Sequence, residues 1–198
     1  MKRLLTILAL GASLALLVQA APSSDTPTPT EAPAAAAEAT INWLTMEEAL
    51  AAQKMNPKKI MIDVYTQWCG PCKMLDKNTF HHAEVVKYVN ANYYAVKFDA
   101  ESPDPVTYKD KTYTNTDYDP ARKGRNGRHE LTDAFGVSAY PTIVFLDETQ
   151  NIIYGLRGYQ GPPQIELFLK FFNEDKHKTI NTQPAWNKYR DSFVPSWS

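Results

Sequence analysis

The chain has 198 residues and two cysteines, and both cysteines lie within "WCGPCK" as Cys69 and Cys72. Two thiols spaced C-x-x-C can form half of a zinc site, a structural staple or a redox pair. A structural zinc site takes four ligands, usually two such pairs or one pair with spaced histidines. Here there is no second pair, His81 and His82 are adjacent, and His129 and His177 stand alone. No metal is therefore expected. As a staple the pair is poor: so short a loop yields about 2 kcal/mol, against ~3 for 15 residues. Reaction is the better use.

The local pattern suits reaction. The β-branched and aromatic run "KKIMIDVYT" precedes the pair and reads as a buried strand, and Pro71 suits the first turn of a helix. Cys69 then sits at a helix N-terminus, where unpaired N–H groups and the helix dipole favour a thiolate. It is expected to be the exposed member, with Cys72 shielded one turn in and placed to attack a mixed disulfide on Cys69. Asp63 lies within the apolar strand. If buried, its pKa rises and it can accept the proton of the shielded thiol. If the pleat turns it outward, it is a surface carboxylate. Periodicity leaves both readings open.

The elements that must hold these residues follow in order. "TMEEALAAQKM" reads as a helix with Thr45 as N-cap and Glu48 closing a capping box. After the strand come helical "PCKMLDKNTF" and "AEVVKYVNAN", with an irregularity expected near His81 and His82, and then the strand "YYAVKFD". Residues 101–127 show no sustained period and read as a long loop, which is usually functional or disordered. "HELTDAF" forms a short helix that Gly136 can cap, "TIVFLD" and "IIYGLRG" form a hairpin, and "PQIELFLKFF" is a closing helix. Strands separated by helices imply a parallel sheet, to which the hairpin adds antiparallel strands. A short strand near residues 41–44 comes first.

The flanks differ in kind. Residues 1–20 combine Lys2, Arg3, an apolar run and a small-residue end, the layout of a secretory signal peptide; at about 15 residues the run falls short of the roughly 20 that span a membrane. Stable membrane insertion after cleavage is not expected, and the destination is the periplasm or the exterior. Residues 21–40 are rich in Ala, Pro and Thr and read as a disordered linker. A domain over 41–175 follows. The tail, 176–198, carries Trp186, Tyr189, Phe193 and Trp197, which either pack back onto the domain or dock a partner. A net charge of −1 gives no reason to expect nucleic acid.

Trp68-Cys69-Gly70-Pro71-Cys72-Lys73 resembles the active-site sequence of thioredoxins, and the chain is identified as a member of the thioredoxin-fold superfamily. Asp63 matches that family's buried aspartate, Lys97 the lysine beside it, Tyr140-Pro141-Thr142 the cis-proline loop, and Gly158 a glycine after the last strand. The likeness covers roughly 45–174. "DKNTFHHAEV" is similar to exported thioredoxin-like proteins such as the periplasmic C-terminal domain of the transmembrane disulfide reductase.

The resemblance implies an α/β thioredoxin-like fold, with a central mixed sheet flanked by helices and a long insertion after Asp99. It implies that Cys69 is the nucleophile and Cys72 the resolving thiol, with Asp63 and Lys97 assisting proton transfer. Trp68, Gly70, Pro71, Tyr140 and a cis Pro141 would meet the substrate, and no cofactor is needed beyond the Cys69–Cys72 pair. The expected activity is reduction or exchange of disulfides in exported proteins, with electrons from a donor the chain does not contain. The competing expectation is a binding module that uses the 101–127 segment and the tail to hold a partner. Because the strands ending at Tyr65 and Asp99 are parallel in this fold, the 101–127 segment should lie beside the cysteines. Arg122, Lys123 and Arg125, with Arg128 just beyond, make its end locally basic.

Overall fold

A computed structural model of the chain describes residues 40–198, so the expected signal peptide and nearly all of the linker lie outside the described residues. In chain order the elements are β1 (Trp43–Leu44), α1 (Met46–Met55), β2 (Lys59–Tyr65), α2 (Gly70–Leu75), a π-helical turn (Asp76–Phe80), α3 (Ala83–Asn92) and β3 (Tyr93–Asp99). There follow β4 (Val106–Tyr108), β5 (Lys111–Tyr113), α4 (Glu130–Ala134), β6 (Thr142–Leu146), β7 (Ile152–Arg157), α5 (Pro162–Asn173), a 3-10 turn (Lys176–Lys178) and α6 (Gln183–Ser192). The main sheet runs β1-β3-β2-β6-β7. Strand β3 is parallel to β1 and β2, whereas β6 is antiparallel to β2 and β7. Among the described residues no helix is long and apolar enough to cross a membrane.

Local chemistry accounts for the elements that frame the cysteines. Thr45 caps α1 by accepting from the Glu48 N–H at 3.1 Å, and Glu48 accepts from the Thr45 N–H at 2.8 Å. That reciprocal pair satisfies two of the helix's free donors. Strand β2 is central and covered on both faces, which is why it holds six consecutive buried residues, Lys59 to Val64. Its alternation sends Ile60, Ile62 and Val64 into the core with Val96, Leu131 and Val144. Met61 goes to the opposite core with Leu75, Phe80, Val86 and Leu169. Asp63, two residues on, shares the face of Met61, beneath the helix that begins at the cysteines.

Three regions depart from the expectations. The irregularity expected near His81 and His82 is there, as the break before α3, but it extends back into the π-helical turn of Asp76–Phe80, which ends with Thr79 and Phe80 both buried. The segment 101–127 is not a plain loop: β4 and β5 pair antiparallel through Lys109 and Asp110, both at positive φ. Two such residues form the hairpin turn whose twist suits its strands, although Lys-Asp lacks the usual Asn-Gly signature. Tyr108 anchors this hairpin by burial against Phe135, with ring centroids 5.3 Å apart. The polar tail also contains a helix, α6. Its Trp186 and Tyr189 pack on Phe171 of α5 at 4.9 and 5.1 Å, and Trp197 is buried in the core.

Glu166 fastens that tail. Fully buried on α5, it accepts from the N–H of Ser196 at 2.7 Å and of Trp197 at 2.9 Å, from the Ser196 hydroxyl, and from Lys170 Nζ at 2.5 Å. Replacing it with alanine strands these donors and frees Trp197. Glu166→Ala is therefore expected to cost about 3 kcal/mol in urea unfolding, with deletion of residues 194–198 costing a similar amount.

Candidate active site

Cys69 and Cys72 form a disulfide, with 5.3 Å between their Cα atoms. Cys69 is the N-cap of α2, its backbone extended, and its Sγ accepts the Cys72 N–H at 3.1 Å. The sulfur thus takes the position a Ser or Asp oxygen takes at other helix starts, where a thiolate gains both a hydrogen bond and the dipole. Gly70 and Pro71 form the first turn, and the proline withholds no bonded N–H there. The expectation that Cys69 is exposed does not hold in this oxidised state. Cys69 is 3% exposed and Cys72 5%, because the N-cap sulfur is turned inward to the helix and bonded to its partner.

The two readings of Asp63 resolve by position: it is 2% exposed, and its Oδ1 has no hydrogen-bond partner among the described residues. Burial pushes its carboxyl up to about 7, and the charge of Asp76 pushes the same way, while Lys97 opposes both. A cleft of about 280 Å³ joins Asp63 to Cys72, Asp76 and Lys97, and its lining reaches the exposed Gln67 and Lys73. Carboxyl and sulfur therefore share a path to solvent.

Lys97 neighbours Asp63, as the resemblance implies, and its charge opposes the rise in the Asp63 pKa. It lies directly opposite Asp63 in the β2–β3 register, yet its ammonium pairs with Asp76 and lies over the rings of Trp43 and Tyr65. It acts on Asp63 through space only. Asp76 is the residue that sequence reasoning missed. Four positions after Cys72 it falls on the same helical face, and that spacing could have flagged it.

Trp68 is held on three sides. Its Nε1–H donates to Glu101 Oε1 at 2.9 Å, its edge meets Tyr140 at 6.0 Å between centroids, and the Arg125 guanidinium lies 4.2 Å from its ring centre. Tyr140 precedes a cis peptide bond to Pro141. The arrangement follows from register: Tyr65 lies opposite Asp99, and the Ala100 N–H donates to the Tyr65 carbonyl at 2.8 Å. Residues after β3 thus start beside the turn that leads into Cys69. Buried His129 ties the same corner down. Its Nδ1 accepts from the Leu131 N–H at 3.1 Å, which leaves the proton on Nε2 for the Asp104 carbonyl at 3.0 Å.

A mixed sheet of this order, with a C-x-x-C disulfide capping the helix after its central strand and a cis-proline loop nearby, defines a thioredoxin-like protein. The family model of the thioredoxin-like domain matches residues 46–173, and the chain belongs to that family. Among curated proteins it is similar to the thiol:disulfide interchange protein DsbD of Pseudoalteromonas atlantica, with 27% identity over 111 residues, or 56% of this chain. A second likeness, to DsbD of Vibrio cholerae, is 41% identical over 44 residues. The matched parts span only 15% and 7% of those relatives. Among solved structures, a thioredoxin-fold protein from Helicobacter pylori superposes with a TM-score of 0.53 at 19% identity, covering 69% of this chain and 82% of that one. The DsbH oxidoreductase superposes at 0.50 and 18% identity, covering 77% and 95%. These two share the fold.

Proposed function

We propose that the chain is an exported thiol–disulfide oxidoreductase that reduces or exchanges disulfides of other exported proteins through Cys69 and Cys72. The observation that carries this reading is a disulfide capping a helix start, with a buried carboxyl of pKa about 7 on the same cleft as its inner sulfur. Kinship with thiol:disulfide interchange proteins supports the reaction class, and the signal-like residues 1–20 support export to the periplasm or beyond.

In this reading the reduced protein begins with the Cys69 thiolate, stabilised by the Cys72 N–H and the helix dipole. It attacks one sulfur of the target, forms a mixed disulfide and expels a target thiolate. Cys72 then loses its proton to ionised Asp63 and attacks Cys69 Sγ, which releases the second target thiolate and closes the Cys69–Cys72 disulfide. The target gains two electrons and the protein loses two. An external thiol donor returns them. Asp63 near neutrality is matched to this task, since it can both take and return a proton at ordinary pH. Trp68, Gly70, Pro71 and Tyr140 with Pro141 line the approach of an extended target segment, and no cofactor enters any step.

The test is dithiothreitol-driven reduction of insulin by the mature chain. The protein is expected to accelerate precipitation of the insulin B chain in proportion to its concentration. A rate no greater than that of dithiothreitol alone would end the enzymatic reading in favour of a partner-binding module.

A further inference from the structure

We infer that Arg125, stacked on Trp68, forms a carboxylate-binding subsite that favours protein targets with an Asp or Glu beside the reactive cysteine. The inference rests on the redox reading above and adds a class of target to it. Three observations support it.

The first is the state of the guanidinium. Arg125 is exposed and lies over the Trp68 ring, and among the described residues it has neither a carboxylate nor a hydrogen-bond acceptor. Its neighbours differ: Arg128 pairs with Asp133 at 2.7 Å and also donates to the Val137 carbonyl, while Arg122 lies near Asp119. A guanidinium stacked by its face keeps its N–H edges free, and those edges are the part that grips a carboxylate in two parallel hydrogen bonds. Glu101 is already hydrogen-bonded to the Trp68 N–H and makes no ion pair with Arg125.

The second is preorganisation. The loop that carries Arg125 is not loose. Asn126 and Asp119 are joined by two hydrogen bonds, of 2.8 and 2.9 Å, and Asn115 donates to the Gly127 carbonyl at 2.8 Å. Gly127 packs so closely that a Cβ there would fall 2.3 Å from the Asp117 carbonyl carbon, so only glycine fits. A fixed loop holds the guanidinium in place before any target arrives, which lowers the ordering cost of binding.

The third is location. Trp68 directly precedes Cys69, and its other side meets Tyr140, the residue before cis-Pro141. A segment that lays its cysteine against Cys69 passes within reach of Arg125.

The experiment uses two disulfide peptides that differ only by Glu or Gln next to one cysteine. Both are acetylated and amidated, so that the side chain carries the only variable carboxylate. The reduced wild-type protein is expected to reduce the Glu peptide about three- to tenfold faster at low salt. The ratio should shrink in 0.5 M salt, fall partway in Arg125→Lys, which keeps the charge and loses the fork, and reach one in Arg125→Ala. Equal rates in the wild type, or a preference that survives in Arg125→Ala, would overturn the inference. If neither peptide is reduced, the redox reading fails, and serine analogues of the two peptides decide the subsite. A shift of the Trp68 indole N–H resonance caused by the Glu analogue alone, and lost in Arg125→Ala, sustains the subsite; identical shifts overturn it.

Discussion

Cys69→Ser is expected to lower insulin reduction by about a thousandfold or more, to the background of dithiothreitol, because the one thiol left, Cys72, is buried and lacks the helix N–H that stabilises the Cys69 thiolate. Cys72→Ser is expected to fail differently. It keeps the nucleophile and loses the group that resolves the mixed disulfide, so covalent adducts with target proteins should accumulate and disappear on adding reductant. Non-reducing electrophoresis followed by mass spectrometry reads both outcomes. The asymmetry is the decisive feature. It derives from the N-cap position of Cys69, whose sulfur alone receives the helix N–H, while the Cys72 sulfur faces the cleft shared with Asp63. Adducts on Cys69→Ser but not on Cys72→Ser would reverse the assignment. Loss of both adducts and turnover in Cys72→Ser would show that the second sulfur does more than resolve.

Much of this site is legible in one dimension because its parts are neighbours along the chain or in register. The capping box, the strand before Cys69 and the proline after it are local signals. The pairing of β2 with β3 then places Asp63 opposite Lys97 and Tyr65 opposite Asp99 by counting alone. Legibility stops where a side chain chooses among partners. Lys97 could have leaned toward Asp63, and it turns to Asp76, the more exposed carboxylate, where an ion pair costs less desolvation. The clamp of Glu101 and Arg125 on Trp68 joins residues 33 and 57 positions apart through a segment without periodicity. The fold of that segment depends on Tyr108 and Asn115 finding burial, which composition does not announce. The tail is similar. Its aromatics are plain in the sequence, but their anchor is a buried Glu166 that a helical pattern marks only as a polar interruption.

Asp63→Asn should make the oxidised protein more stable and a poorer catalyst at the same time. The carboxyl has a pKa of about 7 when folded and 3.8 by reference, so between those values the folded state holds a proton that the unfolded state has released. Folding stability therefore falls as pH rises across that window, by about 1.4 kcal/mol per unit, and above pH 7 the buried carboxylate costs about 4 kcal/mol. Asparagine cannot ionise. The variant should gain about 3–4 kcal/mol in urea unfolding at pH 8 and little at pH 4, which flattens the pH dependence. Turnover should move the other way. With Asp63 no longer able to take the proton of Cys72, and Asp76 paired with Lys97, the closing step should slow by about a hundredfold, and the rise in rate through pH 7 should disappear. Equal stability at pH 8 would mean that Asp63 is solvated when folded. A retained rise through pH 7 would mean that another group, with Asp76 the nearest candidate, accepts the proton from Cys72.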